Sequence, residues 1–177
     1  KKKIEILKFV PTLNLNGLKN LNRKKYNLNS EYLYTPNQFW PHKNHEILIK
    51  CANELKKRNY YIQFVLSGDN SINKEYFEHF IQKIKKLNLT KYFNYVGMIP
   101  NKDVSKLIFN SKAVINPSLF EGWNTGVEEA KILKKKTLLS DIMVHREQAS
   151  KNSFFFKKKN HKQLAKIIIN LKKDKRI

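Results

Sequence analysis

From Tyr32 onward the chain alternates short apolar runs with amphipathic ones, and this alternation restricts the fold more than any other feature. Tyr32-Leu33-Tyr34, closed by Pro36, reads as a strand, and His45 to Lys57 carries Ile47, Leu48, Cys51, Ala52 and Leu55 at helical spacing. Tyr61 to Leu66 reads as a strand stopped by Ser67-Gly68-Asp69. Asn73 to Leu87 then places Tyr76, Phe77, Phe80, Ile81, Ile84 and Leu87 on one helical stripe. The series continues with strand Phe93 to Val96, helix Lys102 to Phe109, strand Ala113 to Ile115 and helix Thr125 to Leu133. Strand Thr137 to Leu139, a short helix around Val144 to Ala149, strand Phe154 to Phe156 and helix His161 to Leu171 complete it. Parallel strands need a long crossover, usually a helix, so the pattern predicts βαβ units and a parallel sheet. Short, mostly apolar strands fit a sheet covered on both faces. The expected class is α/β, a doubly wound, Rossmann-like parallel sheet. Such sheets bind ligands at the carboxyl ends of their strands. The loops at 38–44, 67–70 and 118–125 all follow strands and so share that edge.

Ahead of this series, Ile4 to Val10 alternates well enough for an edge strand or an incoming linker strand. Asn14 to Asn29, rich in Asn and Lys, reads as loop around a short turn of helix. At 177 residues the chain makes one domain with a sizeable core. No stretch approaches the roughly 18 apolar residues of a membrane span. No charged-then-apolar secretory signal opens the chain. The single cysteine, Cys51, excludes an intramolecular disulfide and suits a reducing compartment.

The net charge of +22 invites a nucleic-acid or membrane-surface reading. The charge is dispersed, however: no basic run exceeds three residues, and 21 asparagines accompany the lysines, as an AT-rich coding sequence produces. Nucleic-acid readers concentrate charge on one element and interleave aromatics with it, so nucleic acid is not expected as a partner. Weak attraction to an anionic membrane surface is expected, since a basic residue near such a surface adds about 1 kcal/mol.

The stretch from Asn116 to Ala130 carries the chemistry. Glu121 and Glu129 stand eight positions apart across a loop-to-helix junction that follows the strand Ala113 to Ile115. Backbone N–H groups at a helix start bind phosphate through unsatisfied donors and the helix dipole. Gly122 and Gly126 let backbone approach a ligand, and Asn124 is a residue that tolerates positive φ. Gly122 to Gly126 are therefore expected to hold a diphosphate, Glu121 to bond sugar hydroxyls and Glu129 to accept from ribose hydroxyls. Ser118 either touches phosphate or stabilises the turn. The five histidines show no metal-ligand spacing. His45 and His145 read as structural hydrogen-bonding residues near the cleft, and Phe154 to Phe156 as a buried strand.

Five segments in one order carry a family resemblance: Phe39 to His45, Phe64 to Gly68, Tyr95 to Pro100, Asn116 to Gly122, and Leu139 to Ile142 followed by Glu147. They resemble the donor-site motifs of retaining glycosyltransferases of the group 1 type (family 4, GT-B fold), whose signature reads Glu-Gly-Phe-Gly-x-x-x-x-Glu-Ala. The resemblance spans about Tyr32 to Glu147. It implies that residues 31–177 are the nucleotide-sugar-binding half of a GT-B fold, ending before the final crossover helix. Residues 1–30 are then a linker or edge-strand region leading from an N-terminal acceptor domain. Glu121 and Glu129 take the catalytic positions. Lys43, Gly68, Ile99, Ser118, Gly122, Trp123, Asn124, Thr125 and Gly126 take donor-binding ones, with Lys43 on phosphate and the loop holding Ile99 on the base.

The implied enzyme transfers a sugar from a nucleotide sugar to an acceptor hydroxyl, with no metal or other cofactor. Bacterial cell-surface polysaccharide or glycoconjugate synthesis is the implied setting, in the cytoplasm or peripheral to the inner face of the membrane. The half-enzyme alone is expected to transfer no sugar, and to show apolar surface between Asn14 and Asn29 and along the cleft rim. Gln38 departs from the family by replacing an arginine, and Trp123, Asn124 and Gly126 stand where phenylalanine, glycine and often proline are usual. Lys134 to Lys136 replaces a turn that commonly holds glycine. The rival readings are a standalone nucleotide-binding module, a basic nucleic-acid binder, and a Rossmann oxidoreductase or methyltransferase. The last lacks any Gly-x-Gly-x-x-Gly after a strand.

Overall fold

The computed structural model describes residues 10–13 and 15–171. The strand expected over 4–10 lies, but for Val10, outside the described residues. The elements run β1 (Tyr32–Pro36), α1 (Glu46–Lys57), β2 (Gln63–Ser67), α2 (Lys74–Lys86), β3 (Phe93–Tyr95) and α3 (Asn101–Asn110). They continue with β4 (Ala113–Asn116), α4 (Thr125–Ile132), β5 (Thr137–Ser140), α5 (Met143–Gln148), β6 (Ser153–Phe156) and α6 (His161–Asn170). All six strands pair in parallel, in the order β3-β2-β1-β4-β5-β6. The expected doubly wound α/β sheet is therefore present. Its strand order reverses between β1 and β4.

The period-two alternation of the strands sorts their side chains onto two cores. Leu33, Phe64, Leu66, Ala113 and Ile115 point to a face covered by α1, α2 and α6. Tyr32, Tyr34, Val65 and Val114 point to the other, covered by Leu107 and Ile108 of α3 and Ala130 of α4. Each fully buried Leu, Ile or Phe stabilises the fold by about 1.5–3 kcal/mol. Leu13, Leu18, Leu21 and Leu28 pack against this second core, and Tyr26 is part of it. This corrects the expectation of an apolar face between Asn14 and Asn29. Apart from Leu15, the large apolar side chains of that segment turn onto their own domain. Strand β6 is a sheet edge, so only Phe156 of its three phenylalanines is fully buried.

Three helices end in the same way, and this returns the chain sharply to the next strand. In α1, α2 and α4 the residues Asn59, Asn88 and Lys134 adopt φ of 51°, 52° and 54°. The following N–H groups of Tyr60, Leu89 and Lys135 bond the carbonyls of Leu55, Ile84 and Ala130 at 3.0, 2.9 and 2.8 Å. This double-bonded C-cap needs a left-handed residue, a role glycine fills best and asparagine tolerates. The Lys134 to Lys136 turn thus keeps the geometry of a glycine turn without the glycine.

Candidate functional site

At the reversal between β1 and β4 the chain leaves the sheet in opposite directions and opens a cleft of about 840 Å³. The exits of β1 and β2, the loop into α3 and the start of α4 line it. Of the residues expected to bind a donor, Lys43, Gly68, Ile99, Trp123, Asn124, Thr125 and Gly126 all line this cleft, as does Glu129. Ser118, Glu121 and Gly122 do not line it.

Glu121 lies beneath the cleft with its side chain 6% exposed. Its Oε1 accepts from Lys43 Nζ at 2.6 Å, Ser118 Oγ at 2.6 Å and Asn124 Nδ2 at 3.0 Å, and its Oε2 from Lys43 at 2.8 Å. The two charged groups expected on sugar and on phosphate therefore meet each other. Ser118, fully buried, also donates to Asn116 Oδ1 at 2.9 Å, which makes it a turn-holding residue here. Lys43 is brought to this point by the short helical turn Pro41–Lys43, fixed by Leu119 N–H donating to the His42 carbonyl at 2.7 Å. Asn44, left-handed at φ 56°, then clips this turn to the Pro117 carbonyl at 3.0 Å.

Asn124 differs from expectation. Its φ is −105°, extended, and its Oδ1 accepts from Val127 N–H at 3.2 Å, so it caps α4 as asparagine is suited to do. Gly122 sits in open space, whereas Gly126 packs within 3.4 Å of Asn124 Oδ1 and Pro36 Cγ, measured from where a Cβ would stand. The N–H groups of Thr125 and Gly126 bond no acceptor among the described residues, leaving the positive end of α4 open to the cleft. The carboxylate of Glu129, one turn on, has no hydrogen-bond partner among the described residues, and burial raises its pKa.

Sequence reasoning missed Gln148. Fully buried, it accepts from Asn124 N–H at 3.2 Å and donates to the Asn124 carbonyl at 2.9 Å and Glu128 Oε1 at 3.0 Å, which holds the cap of α4 rigid. The neighbouring Glu147, which the resemblance singled out, is exposed. His145, also buried, sits 2.9 Å from the Ser140 carbonyl through Nδ1, which must carry the proton because a carbonyl only accepts. Burial lowers its pKa. His45 stacks on Phe39 at 4.3 Å and 10°, and burial and nearby Lys43 bring its pKa down to about 3, so it is a neutral packing residue. Met98, which lines the cleft, and Phe120 are 76% and 69% exposed.

A cleft at the switch point of a doubly wound sheet, with an open helix start on one wall, defines a ligand-binding α/β domain. The family model for glycosyl transferases group 1 matches residues 19–177, and the chain belongs to that family. No curated protein matches it in sequence. Among solved structures, the chain is similar to a glycosyltransferase from Rickettsia africae ESF-5 at 22% identity and a TM-score of 0.77, the match covering 91% of this chain and 42% of that one. It is similar to Anabaena HepE, solved with UDP, at 18% identity and a TM-score of 0.77, covering 92% and 44%. The C-terminal domain of LpcC, a group 1 glycosyl transferase from Francisella tularensis, matches at 20% identity and a TM-score of 0.73, covering 92% and 85%. The chain thus has the fold of one half of a GT-B enzyme and spans less than half the length of the first two structures.

Proposed function

We propose that this chain is the donor-binding half of a retaining, family-4 glycosyltransferase that moves a sugar from a nucleotide sugar to an acceptor hydroxyl. The observation that carries the reading is the cleft wall made by the open start of α4 and the unpartnered Glu129. A diphosphate placed there meets the N–H groups of Thr125 and Gly126 and the ammonium of Lys43. These groups stabilise charge on the leaving diphosphate without reorganising. Glu129 accepts from ribose hydroxyls. Oε1 of Glu121 is filled by three donors, so Oε2, bonded only to Lys43, is the atom left for a sugar hydroxyl. No metal enters this reading. The acceptor wall belongs to an N-terminal domain, and transfer needs both walls to bring donor and acceptor into reacting geometry. Bacterial surface polysaccharide or glycoconjugate synthesis is the proposed setting. No helix among the described residues is long and apolar enough to cross a membrane.

Calorimetric titration with UDP, ADP, GDP, NAD and a short oligonucleotide tests the reading. One nucleoside diphosphate is expected to bind and the last two are not. A preference for NAD or the oligonucleotide overturns it, and sugar transfer by this chain alone overturns the half-enzyme assignment.

Glu129 gives a sharper test. Hydroxyl donors favour the carboxylate, so binding lowers its pKa, and affinity rises as pH climbs through the raised free value before levelling off. With the unphosphorylated nucleoside, so that no phosphate titrates, affinity is expected to grow as pH rises through a range above the ordinary carboxylate one, and then to level off. In Glu129→Gln the profile flattens, and Glu129→Ala loses about 1.5–3 kcal/mol of binding at neutral pH. Wild-type affinity in a folded Glu129→Ala protein removes the ribose assignment.

A further inference from the structure

The chain carries a net charge of +22, yet its cleft is poor in cations. Among the described residues Lys43 and Glu129 are the only charged ones lining it, and they carry opposite signs. Lys43 is moreover neutralised by Glu121, which it grips through both carboxylate oxygens. Gln38 adds no charge: it is exposed, and its Oε1 accepts from the Asp69 N–H. A group bearing two or three negative charges therefore finds at most one cation here, already committed elsewhere. Those phosphoryl oxygens need donors beyond Lys43 and the N–H groups at the start of α4.

Two side chains are available. Asn37, at the exit of β1, is 5% exposed, lines the cleft, and its Nδ2 finds no acceptor. Trp123, two residues before α4, also lines the cleft, and its Nε1 is buried without an acceptor. Buried N–H groups are almost always paired, and leaving one unpaired costs about 1–3 kcal/mol. Two such groups in one cleft suit a ligand with acceptor oxygens. Their placement agrees. The backbone of Asn37 lies against Gly68, the adjoining Pro36 touches Gly126, and Trp123 leads into the cap residue Asn124. Both donors thus flank the open N–H groups of Thr125 and Gly126.

We propose that Asn37 and Trp123 are donor-binding residues that hold the phosphoryl oxygens of the nucleotide through neutral N–H groups, where Gln38 supplies no cation. This rests on the reading of the cleft as a nucleoside diphosphate site. Neutral donors hold an anion well only when they are preorganised and shielded from water, and both N–H groups are buried.

The test titrates UDP, ADP and GDP, each beside its own nucleoside, into the unaltered chain and into Asn37→Asp, Asn37→Ala and Trp123→Phe. Trp123→Phe keeps an aromatic ring but deletes the donor with the pyrrole part of the indole, and Asn37→Asp keeps the shape and replaces the donor with a charge. Affinity for the preferred diphosphate is expected to fall about tenfold or more in Asn37→Ala and Trp123→Phe, and further in Asn37→Asp. Affinity for the nucleoside is expected to hold, with circular dichroism and melting curves unchanged in Trp123→Phe. Equal losses for diphosphate and nucleoside mark a structural role and overturn the proposal. So does wild-type diphosphate affinity in Trp123→Phe and Asn37→Ala. If the unaltered chain binds none of the three diphosphates, the reading of the cleft fails first, and the inference with it.

Discussion

Gly68→Ala is expected to lower stability by roughly 3–4 kcal/mol and the melting temperature by about 6–16 °C. Gly68 takes φ of +146°, a conformation that L side chains rarely adopt. A Cβ there stands 2.3 Å from the carbonyl oxygen of Asn37, 2.8 Å from its carbonyl carbon and 3.0 Å from Gln38 Cα. All three atoms are backbone, so no side chain can swing aside, and the exits of β1 and β2 must separate. At this residue the exit of β2 is also tied to that of β3. Gly68 N–H donates to the Gly97 carbonyl at 3.1 Å, and Tyr95 Oη donates to the Gly68 carbonyl at 2.7 Å. Separating β1 from β2 moves Asn37, so nucleotide affinity falls with stability. Two other glycines calibrate the size. Gly97 has φ of +76° but open space around its Cβ position, so alanine there costs about 1–2 kcal/mol of backbone strain alone. Gly122 has neither constraint, and its alanine variant stays within about 0.5 kcal/mol of wild type. Urea unfolding of the three variants reads the order directly. A Gly68→Ala loss no larger than that of Gly97→Ala contradicts the steric account.

The sheet was legible because its physics is local. Strands buried on both faces must be apolar, and helices covering them must show a stripe, so Phe64-Val65-Leu66 and the Phe77, Phe80, Ile84 set announce themselves. The strand edge holding the site follows from the same alternation. What escaped reading depends on contacts across the chain. Lys43 and Glu121 are 78 positions apart and meet only because β1 and β4 are neighbours. Both could be assigned to a ligand, but not to each other. The role of Asn124 was misread because its side chain offers two uses, tolerance of positive φ and capping. Only the start of α4 at Thr125 decides between them, and the cap preference for asparagine was the signal to weigh. Gln148 and the unpaired amide of Asn37 carry no sequence mark at all, since each gains its meaning from what surrounds it.

The Lys43–Glu121 pair yields the second large effect. Removing one partner of a buried ion pair strands the other charge away from water, which costs about 3–5 kcal/mol when burial is complete. The burial is unequal here: the Lys43 side chain is 16% exposed and opens on the cleft, while that of Glu121 is 6% exposed beneath it. Lys43→Met therefore leaves the worse orphan, although Ser118 and Asn124 still donate to Glu121. A loss of roughly 3 kcal/mol is expected. Glu121→Gln frees an ammonium that can turn toward water and keeps an acceptor for Ser118 and Asn124, so roughly 1–2 kcal/mol is expected. The double variant should cost less than the sum, by at least about 1.5 kcal/mol of coupling. Binding divides differently. Lys43→Met loses diphosphate affinity more than nucleoside affinity, because the ammonium acts on phosphate. Glu121→Gln loses the nucleotide sugar most, and also disturbs the diphosphate, because Glu121 sets where Lys43 and the α4 cap residue Asn124 stand. A double-mutant cycle by urea unfolding, run beside calorimetry, separates the two roles. Stability losses that add within about 0.5 kcal/mol show that the pair is not coupled in solution. In that case Lys43 already faces the cleft free, and its attachment to Glu121 plays no part in how the site is held.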